Sequence, residues 1–338
     1  MPKSYNVAVI GATGAVGAVF LQIAAERSFP IKSLKLLATA RSAGKRIPFG
    51  EGEIAVEETT PDAIKGADFV FISASDEASK EYGLRARELG AVAIDDSGVW
   101  RQDPEVPLVV PEINAADVDW HKGILAIPNC STTPLVLCLW PLHQRNRVAR
   151  VVADTYQSVS GTGSGAVAEL EQQARAWAAG QSSRPQVYPH PIAFNALPRI
   201  GGLKESGYTS EEWKMMAEAR KIMHEPELAL SATCVRVPVF IGHSVAAHVE
   251  FERPMPADEV RAVLREAPGV VVQDDTAHDI YPTPLDAAGK DPVYVGRIRD
   301  DASNPNGVAM WISSDNLRKG AALNAIQIAE TMIERGLV

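Results

Sequence analysis

Cysteine is scarce in this chain, with three in 338 residues (Cys130, Cys138 and Cys234) and no C-x-x-C pair. An odd, sparse set excludes a disulfide framework and leaves reduced thiols as the expectation. Long apolar runs are missing too. None approaches the roughly 18 residues that cross a bilayer, so a soluble protein is expected. Basic residues are outnumbered, 33 Lys and Arg against 42 Asp and Glu, for a net charge of −9. That field attracts neither nucleic acid nor an anionic membrane, and an anionic substrate must be met by a local Arg and Lys cluster. The start, MPKSYNVAVIGATG, enters a strand pattern too early for a signal peptide, so a cytoplasmic location is expected. No internal repeat or low-complexity tract is visible.

The length exceeds that at which single cores stop growing, so two domains are expected. Over the first 130 residues, short apolar runs (YNVAVI, LKLLATA, DFVFISAS, AVAIDD, PLVVPEI, ILAIP) alternate with helical patterns. That alternation reads as an α/β fold, a parallel sheet covered by helices. In the first helix Val16, Val19, Phe20 and Ile23 share one face, which should pack on the sheet. From about residue 150, VARVVADTYQSVSGTG, SATCVRVPVFIG and HSVAAHVEFE suggest a second, α+β domain. The Pro-rich stretch 181–202 reads as a long loop, expected at a subunit interface. DNLRKGAALNAIQIAETMIERG reads as a closing helix that starts at Asp315.

GATGAVG, residues 11–17, follows a strand and opens a helix. Gly11 permits the tight turn, Gly14 lets backbone approach a pyrophosphate, and Gly17 allows close helix packing. The spacing departs by one residue from G-x-G-x-x-G, and a plain strand-to-helix turn is the alternative. At the end of the second strand an NAD enzyme places a carboxylate; ATARSAGK has none. Arg41 and Ser42, with Lys45 nearby, suit a 2′-phosphate, so NADP is the expected cofactor. Solvated loop charges are the duller reading of Arg41 and Lys45.

In ILAIPNCSTTPLVL, Ser131, Thr132 or Thr133 can cap a helix whose first turn accepts Pro134. Cys130 then precedes a helix N-terminus, where a thiolate is favoured and backbone N–H groups can receive an oxyanion. Cys138, inside an apolar run, is expected to be inert.

PNCSTT, TYQSVSGTG, RVPVFIGHS, GATGAVG and ARSAGK, followed by VGRIRDD and MWISSDNLRKGAA, resemble aspartate-semialdehyde dehydrogenase over essentially the whole chain. That family reduces aspartyl phosphate with NADPH to aspartate semialdehyde and phosphate, on the branch towards lysine, methionine and threonine. The resemblance implies a Rossmann-type parallel-sheet NADP-binding domain (residues 1–128 with 316–338) and an α+β catalytic and dimerisation domain (residues 129–315). It implies a homodimer, with a homotetramer as the alternative, acting on a small molecule and phosphate.

By the same resemblance Cys130 is the nucleophile that carries a thioester, His243 the acid/base group that takes the thiol proton, and Gln157 the residue that orients the acyl intermediate. Arg236 clamps the substrate carboxylate, Glu211 pairs its ammonium, and Arg101, Lys214 and Asn129 bind phosphate. Thr13, Ala15, Val16, Ser73, Ser160, Gly161 and Asn316 join Gly11, Gly14, Arg41 and Ser42 at the cofactor. Read alone, Glu211, Lys214 and Arg101 are solvated charges and Gln157 a half-buried strand residue. Thr133 and Arg199 stand where the family favours an apolar residue and a glutamine, which bears on fine substrate geometry.

His243 and His248 lie five apart without completing carboxylates, so no metal is expected. Arg236 and His243 are seven apart and would face opposite ways in a straight strand; Pro238 and Gly242 predict a bend between them. The alternatives are N-acetyl-glutamyl-phosphate reductase, more distantly glyceraldehyde-3-phosphate dehydrogenase, and a non-catalytic NADP-binding relative.

Overall fold

The computed structural model describes residues 3–338. The chain divides into two compact units, one running up to Asn129 and resuming at Ala321–Val338, the other Cys130–Gly320. The returning segment therefore starts at Ala321, later than the expected residue 316, and Asn129 belongs to the first unit.

In the first unit β1 (Tyr5–Ile10), α1 (Ala15–Glu26), β2 (Ile31–Ala38), β3 (Arg46–Phe49), β4 (Gly52–Glu58), β5 (Phe69–Ile72), α2 (Asp76–Glu88), β6 (Val92–Asp95), a single turn α3 (Pro111–Asn114) and β7 (Ile124–Ala126) follow in order. The sheet runs β3-β4-β2-β1-β5-β6-β7, parallel except for the β3–β4 hairpin. Without the hairpin strand β3, this is the doubly wound order in which two βαβαβ halves diverge from a central strand. Phe20 and Ile23 of α1 are buried in the core and Val16 and Val19 pack against it, so the expected face does meet the sheet.

The second unit comprises α4 (Thr132–Arg145), β8 (Val148–Gln157), α5 (Ser164–Ala178), α6 (Ser210–Ile222), β9 (Ala229–Arg236), β10 (His243–Phe251), α7 (Ala257–Arg265), β11 (Val270–Val272), the short α8 (Pro284–Ala287), β12 (Val293–Asp300) and β13 (Gly307–Ser314). Its mixed sheet runs β11-β12-β13-β10-β8-β9. In β8, Val151, Ala153, Thr155 and Gln157 are buried, while Tyr156 is exposed and its ring lies 5.1 Å from that of Trp311. One sheet face is thus covered, and on the other the exposed Tyr156 lies beside the half-buried Trp311. The helix α9 (Leu323–Glu334) belongs to the first unit.

Two expectations need correction, and some strands were not expected at all. PLVVPEI is not a strand: Leu108 makes one bridge to Ala126, and Pro111, with no N–H to give a ladder, starts a helical turn instead. The closing helix starts at Leu323, not Asp315. The Asp315 carboxylate accepts the N–H groups of Leu317 and Arg318 at 2.8 and 3.1 Å, and a π-helical turn, Arg318–Ala322, intervenes. The hairpin β3–β4 and the strands β12 and β13 went unforeseen: β4 and β12 alternate weakly beside charged residues, and β13 is buried almost throughout and shows no alternation.

Phe69 is fully buried, with its ring centroid 5.4 Å from Tyr5 and 6.1 Å from both Phe29 and Phe71. Phe69→Ala should cost about 3–5 kcal/mol, read as a lower denaturant midpoint at unchanged slope.

Candidate active site

The glycine turn of the first unit is tight for steric reasons. Gly11 has φ +86°, and a Cβ there would lie 2.0 Å from the carbonyl oxygen of Ser73 at the end of β5. A Cβ on Gly17 would lie 2.4 Å from the oxygen of Gly11, so α1 starts hard against the turn. Gly14 is the N-cap of α1, with Ala15 and Val16 opening its first turn and Thr13 exposed beside it. Thr13 Oγ1 donates to Ser42 Oγ at 3.4 Å, which joins the turn to the end of β2, where Arg41 is exposed. A glycine cradle at a helix N-terminus with hydroxyls and a guanidinium beside it fits a dinucleotide phosphate.

Arg101 and Asn129 are also in the first unit, and both are buried. Arg101 is no loop decoration. Its Nη2 donates to the carbonyl of Asp96 at 2.8 Å.

In the second unit three expected residues form a row. Gln157 and Arg236 are direct partners at the parallel ends of β8 and β9. Ser244 pairs with Tyr156 across β8 and β10, and one further step of that antiparallel register sets His243 level with Gln157. All three are buried. The expected bend is a complete crossing: residues 237–242 pass over the end of β8, where Val237 N–H donates to Gln157 O at 2.9 Å and Val159 N–H to Val239 O at 2.8 Å. Gly242 closes this connection with φ +97°, and a Cβ there would lie 2.8 Å from the oxygen of Pro284.

Cys130 comes immediately before Ser131, the N-cap of α4, as expected. Ser131 is in the helical region and makes no side-chain cap; its hydroxyl accepts from Gln157 Nε2 at 3.4 Å. The Cβ and Cα of Cys130 approach Gly320, where a side chain would lie 3.0 Å from the cysteine Cβ. Of the three thiols Cys130 alone is partly accessible. Burial pushes the Cys138 thiol far up and the Cys234 thiol up to about 12, so neither is a nucleophile at neutral pH.

Glu211 lies on the first turn of α6 and Lys214 one turn on, 3.5 Å away, and Glu211 is buried rather than solvated. Glu211 and Arg236 both act electrostatically on the Cys234 thiol, the carboxylate raising its pKa and the guanidinium lowering it. Ser160 and Asn316 are buried and joined, Ser160 Oγ donating to Asn316 Oδ1 at 3.1 Å. Gly161 lies at the focus of the row: a Cβ there would be 3.0 Å from Arg236 Nη1 and 3.1 Å from His243 Nε2.

Ser158 is the residue that sequence reasoning missed. Its N–H donates to His243 Nδ1 at 3.0 Å, and its carbonyl accepts from Arg236 Nη1 at 2.7 Å. Its place directly after Gln157 in TYQSVSG was the available signal. Burial first, and the Arg236 charge second, push the His243 pKa down from 6.5 to about 3, so the imidazole is neutral.

Two family models match the chain: "Semialdehyde dehydrogenase, NAD binding domain" over residues 6–121 and "Semialdehyde dehydrogenase, dimerisation domain" over residues 139–319. Fold and site thus define an oxidoreductase acting on aldehydes, with a nicotinamide-dinucleotide-binding domain and an oligomerisation domain. An aspartate-semialdehyde dehydrogenase from Aquifex aeolicus is 48% identical over 99% of both chains, and one from Legionella pneumophila is 46% identical over 98% of this chain and 96% of its own. Among solved structures, aspartate semialdehyde dehydrogenase II from Vibrio cholerae, complexed with ASA, matches with TM-score 0.94 at 38% identity, covering 98% of this chain and 99% of that one. The Candida albicans enzyme, solved with NADP, matches with TM-score 0.77 at 27% identity, covering 99% and 100%. The chain belongs to the aspartate-semialdehyde dehydrogenase family. No helix among the described residues is long and apolar enough to cross a membrane.

Two predictions follow from the row. Gly161→Ala puts a methyl group against Arg236 and His243, and should lower kcat/KM at least about tenfold while thermal stability stays near that of the parent, since Gly161 is exposed and free of positive-φ strain. Because the unfolded chain binds a proton at His243 near pH 6.5 and the folded chain only near about 3, stability is fully present above the former and declines as pH falls towards the latter. Thermal unfolding followed against pH should show a shallower acid decline in His243→Gln.

Proposed function

We propose that the protein interconverts L-aspartyl 4-phosphate and L-aspartate 4-semialdehyde with NADP as its nicotinamide cofactor, through a thioester on Cys130. The observation that carries this reading is the row Arg236, Gln157 and His243 at the strand ends, with Cys130 at the adjoining start of α4. The Cys130 thiolate attacks the acyl carbon and phosphate departs, leaving the thioester. NADPH, held by the glycine turn of the first unit, would supply the hydride that reduces this thioester, and the cysteine would leave as thiolate when the aldehyde forms.

Gln157 orients the acyl oxygen, Arg236 takes the substrate α-carboxylate as a planar double donor, and Glu211 takes its ammonium. Arg101, Lys214 and Asn129 serve the phosphate. His243 is the acid/base group that takes the thiol proton and returns one to the departing groups. Thr13, Gly14, Ala15 and Val16 receive the cofactor pyrophosphate, with Gly11 and Ser73 shaping the turn, while Ser160, Gly161 and Asn316 serve the nicotinamide end. The absence of a carboxylate at the end of β2, where Arg41 and Ser42 stand near Thr13, supports NADP over NAD.

The working form proposed is a cytoplasmic homodimer built on the Cys130–Gly320 unit. Its second sheet face, bearing the exposed Tyr156 and the half-buried Trp311, offers an apolar surface.

The test is formation of reduced cofactor from aspartate semialdehyde, NADP and phosphate. Turnover should require phosphate and vanish in Cys130→Ala while NADP binding persists; full activity in that variant rules out the thioester. No turnover with aspartate semialdehyde, but turnover with the acetylated glutamate analogue, moves the assignment to N-acetyl-glutamyl-phosphate reductase. Arg41→Ala should raise KM for NADP about tenfold or more and leave KM for NAD unchanged, because only NADP carries the phosphate.

A further inference from the structure

The peptide and the side chain of Asp96 act on Arg101 in different ways. The main-chain carbonyl accepts from Arg101 Nη2 at 2.8 Å, and Oδ1 of the carboxylate stands 3.8 Å from the same nitrogen. The carbonyl is a fixed acceptor that holds the guanidinium in place. The carboxylate adds a full negative charge, within ion-pair distance but too far for a hydrogen bond. Such a contact does little for placement and much for the local potential.

The strand decides which of two adjacent acids has this part. Asp95 is the last residue of β6, and Asp96 continues the ladder by giving its N–H to Ile72 O at 2.9 Å, so the two side chains leave on opposite faces. Asp95 is completely buried, its Oδ1 takes the N–H and hydroxyl of Ser97 at 2.8 and 2.5 Å, and burial pushes its pKa up. The Asp96 side chain remains 20% exposed, against 6% for Arg101. Its Oδ2 accepts from Ser73 Oγ at 3.2 Å, on the residue whose carbonyl Gly11 leaves room for. Among the described residues that line the cavity behind the glycine turn, Asp96 alone is charged. A serine of the cofactor turn thus fixes a carboxylate beside Arg101.

We propose that Asp96 sets the anion affinity of the phosphate site: its carboxylate, held by Ser73, lowers the positive potential of Arg101, so that phosphate binds weakly and leaves readily. The proposal rests on the reading of Arg101 as a phosphate residue. A phosphate that approaches the guanidinium also approaches a like charge, and the repulsion is subtracted from what Arg101 alone would give. Placement is untouched, because the main-chain carbonyl holds Arg101 whatever the side chain carries. Asp96 is therefore a residue that tunes Arg101 rather than one that touches the reacting atoms.

Asp96→Asn removes the charge, keeps the main-chain carbonyl and leaves an oxygen for Ser73. In the complete enzyme KM for phosphate should fall at least about threefold, with KM for aspartate semialdehyde and for NADP within about twofold of the parent. The gap between the two proteins should narrow as sodium chloride is raised from about 50 mM to about 0.5 M, since a screened charge leaves less to remove. A displaced Arg101 gives the opposite sign. An unchanged or raised KM for phosphate, or a fall that salt does not alter, overturns the proposal. Calorimetric titration of inorganic phosphate into both proteins separates the proposal from the functional reading. Tighter binding in Asp96→Asn with no phosphate-dependent turnover in the parent removes the reading and leaves the proposal standing. Turnover in the parent with equal phosphate binding in the two proteins does the reverse, and binding by neither protein overturns the proposal.

Discussion

Arg236 is 5% exposed and His243 1% exposed, and both lean on the main chain of one residue. A buried guanidinium stays charged, so its burial is tolerable only where acceptors surround it; the Ser158 carbonyl at 2.7 Å is one. The next peptide back gives its N–H to the imidazole. Two adjacent peptides thus hold a permanent cation and a neutral ring in one small volume, and the cation helps to keep the ring neutral. Asn316 is buried behind them because Ser158, Ser160 and Gly242 all need an acceptor there.

The sheet topology makes this possible. β9 is parallel to β8 and β10 antiparallel to it, so the chain must cross the end of β8 to pass from one neighbour to the other. That crossing brings a strand end and a strand start to the same level, on the same face, with no regular strand between them. α4 arrives at the same place through Ser131 and Gln157. Substrate chemistry at strand ends, in a row supplied by successive strands, is a general outcome of sheets that carry parallel pairs.

Much of this was legible from local pattern. The glycine turn, β1 and α1 follow from strand-to-helix punctuation, and the separation of Cys130 from Cys138 follows from polar against apolar surroundings. Arg236 and His243 were legible by resemblance, and Pro238 with Gly242 marked the bend between them. What could not be read was main-chain work: nothing in the letter at position 158 distinguishes a serine whose N–H and carbonyl matter from one whose hydroxyl does. The hairpin β3–β4 was hidden for a different reason. Each of its strands is short and turns only two larger apolar side chains to the core, Ile47 with Phe49 and Ile54 with Val56, a stripe too brief to stand out among small and charged neighbours.

Sheet margins also bear on how the protein behaves in a concentrated solution. Each open margin offers unpaired N–H and carbonyl groups that another chain can join. In the first sheet one margin is β3, which carries Pro48, and the other is β7, three residues long and bridged by Leu108. In the second, β11 is again three residues long, and Arg236 at the end of β9 has its N–H and carbonyl taken by Leu197, each at 2.9 Å. The loop residue that braces Arg236 therefore also caps the site end of the β9 margin, which holds off another chain's strand where the functional row stands.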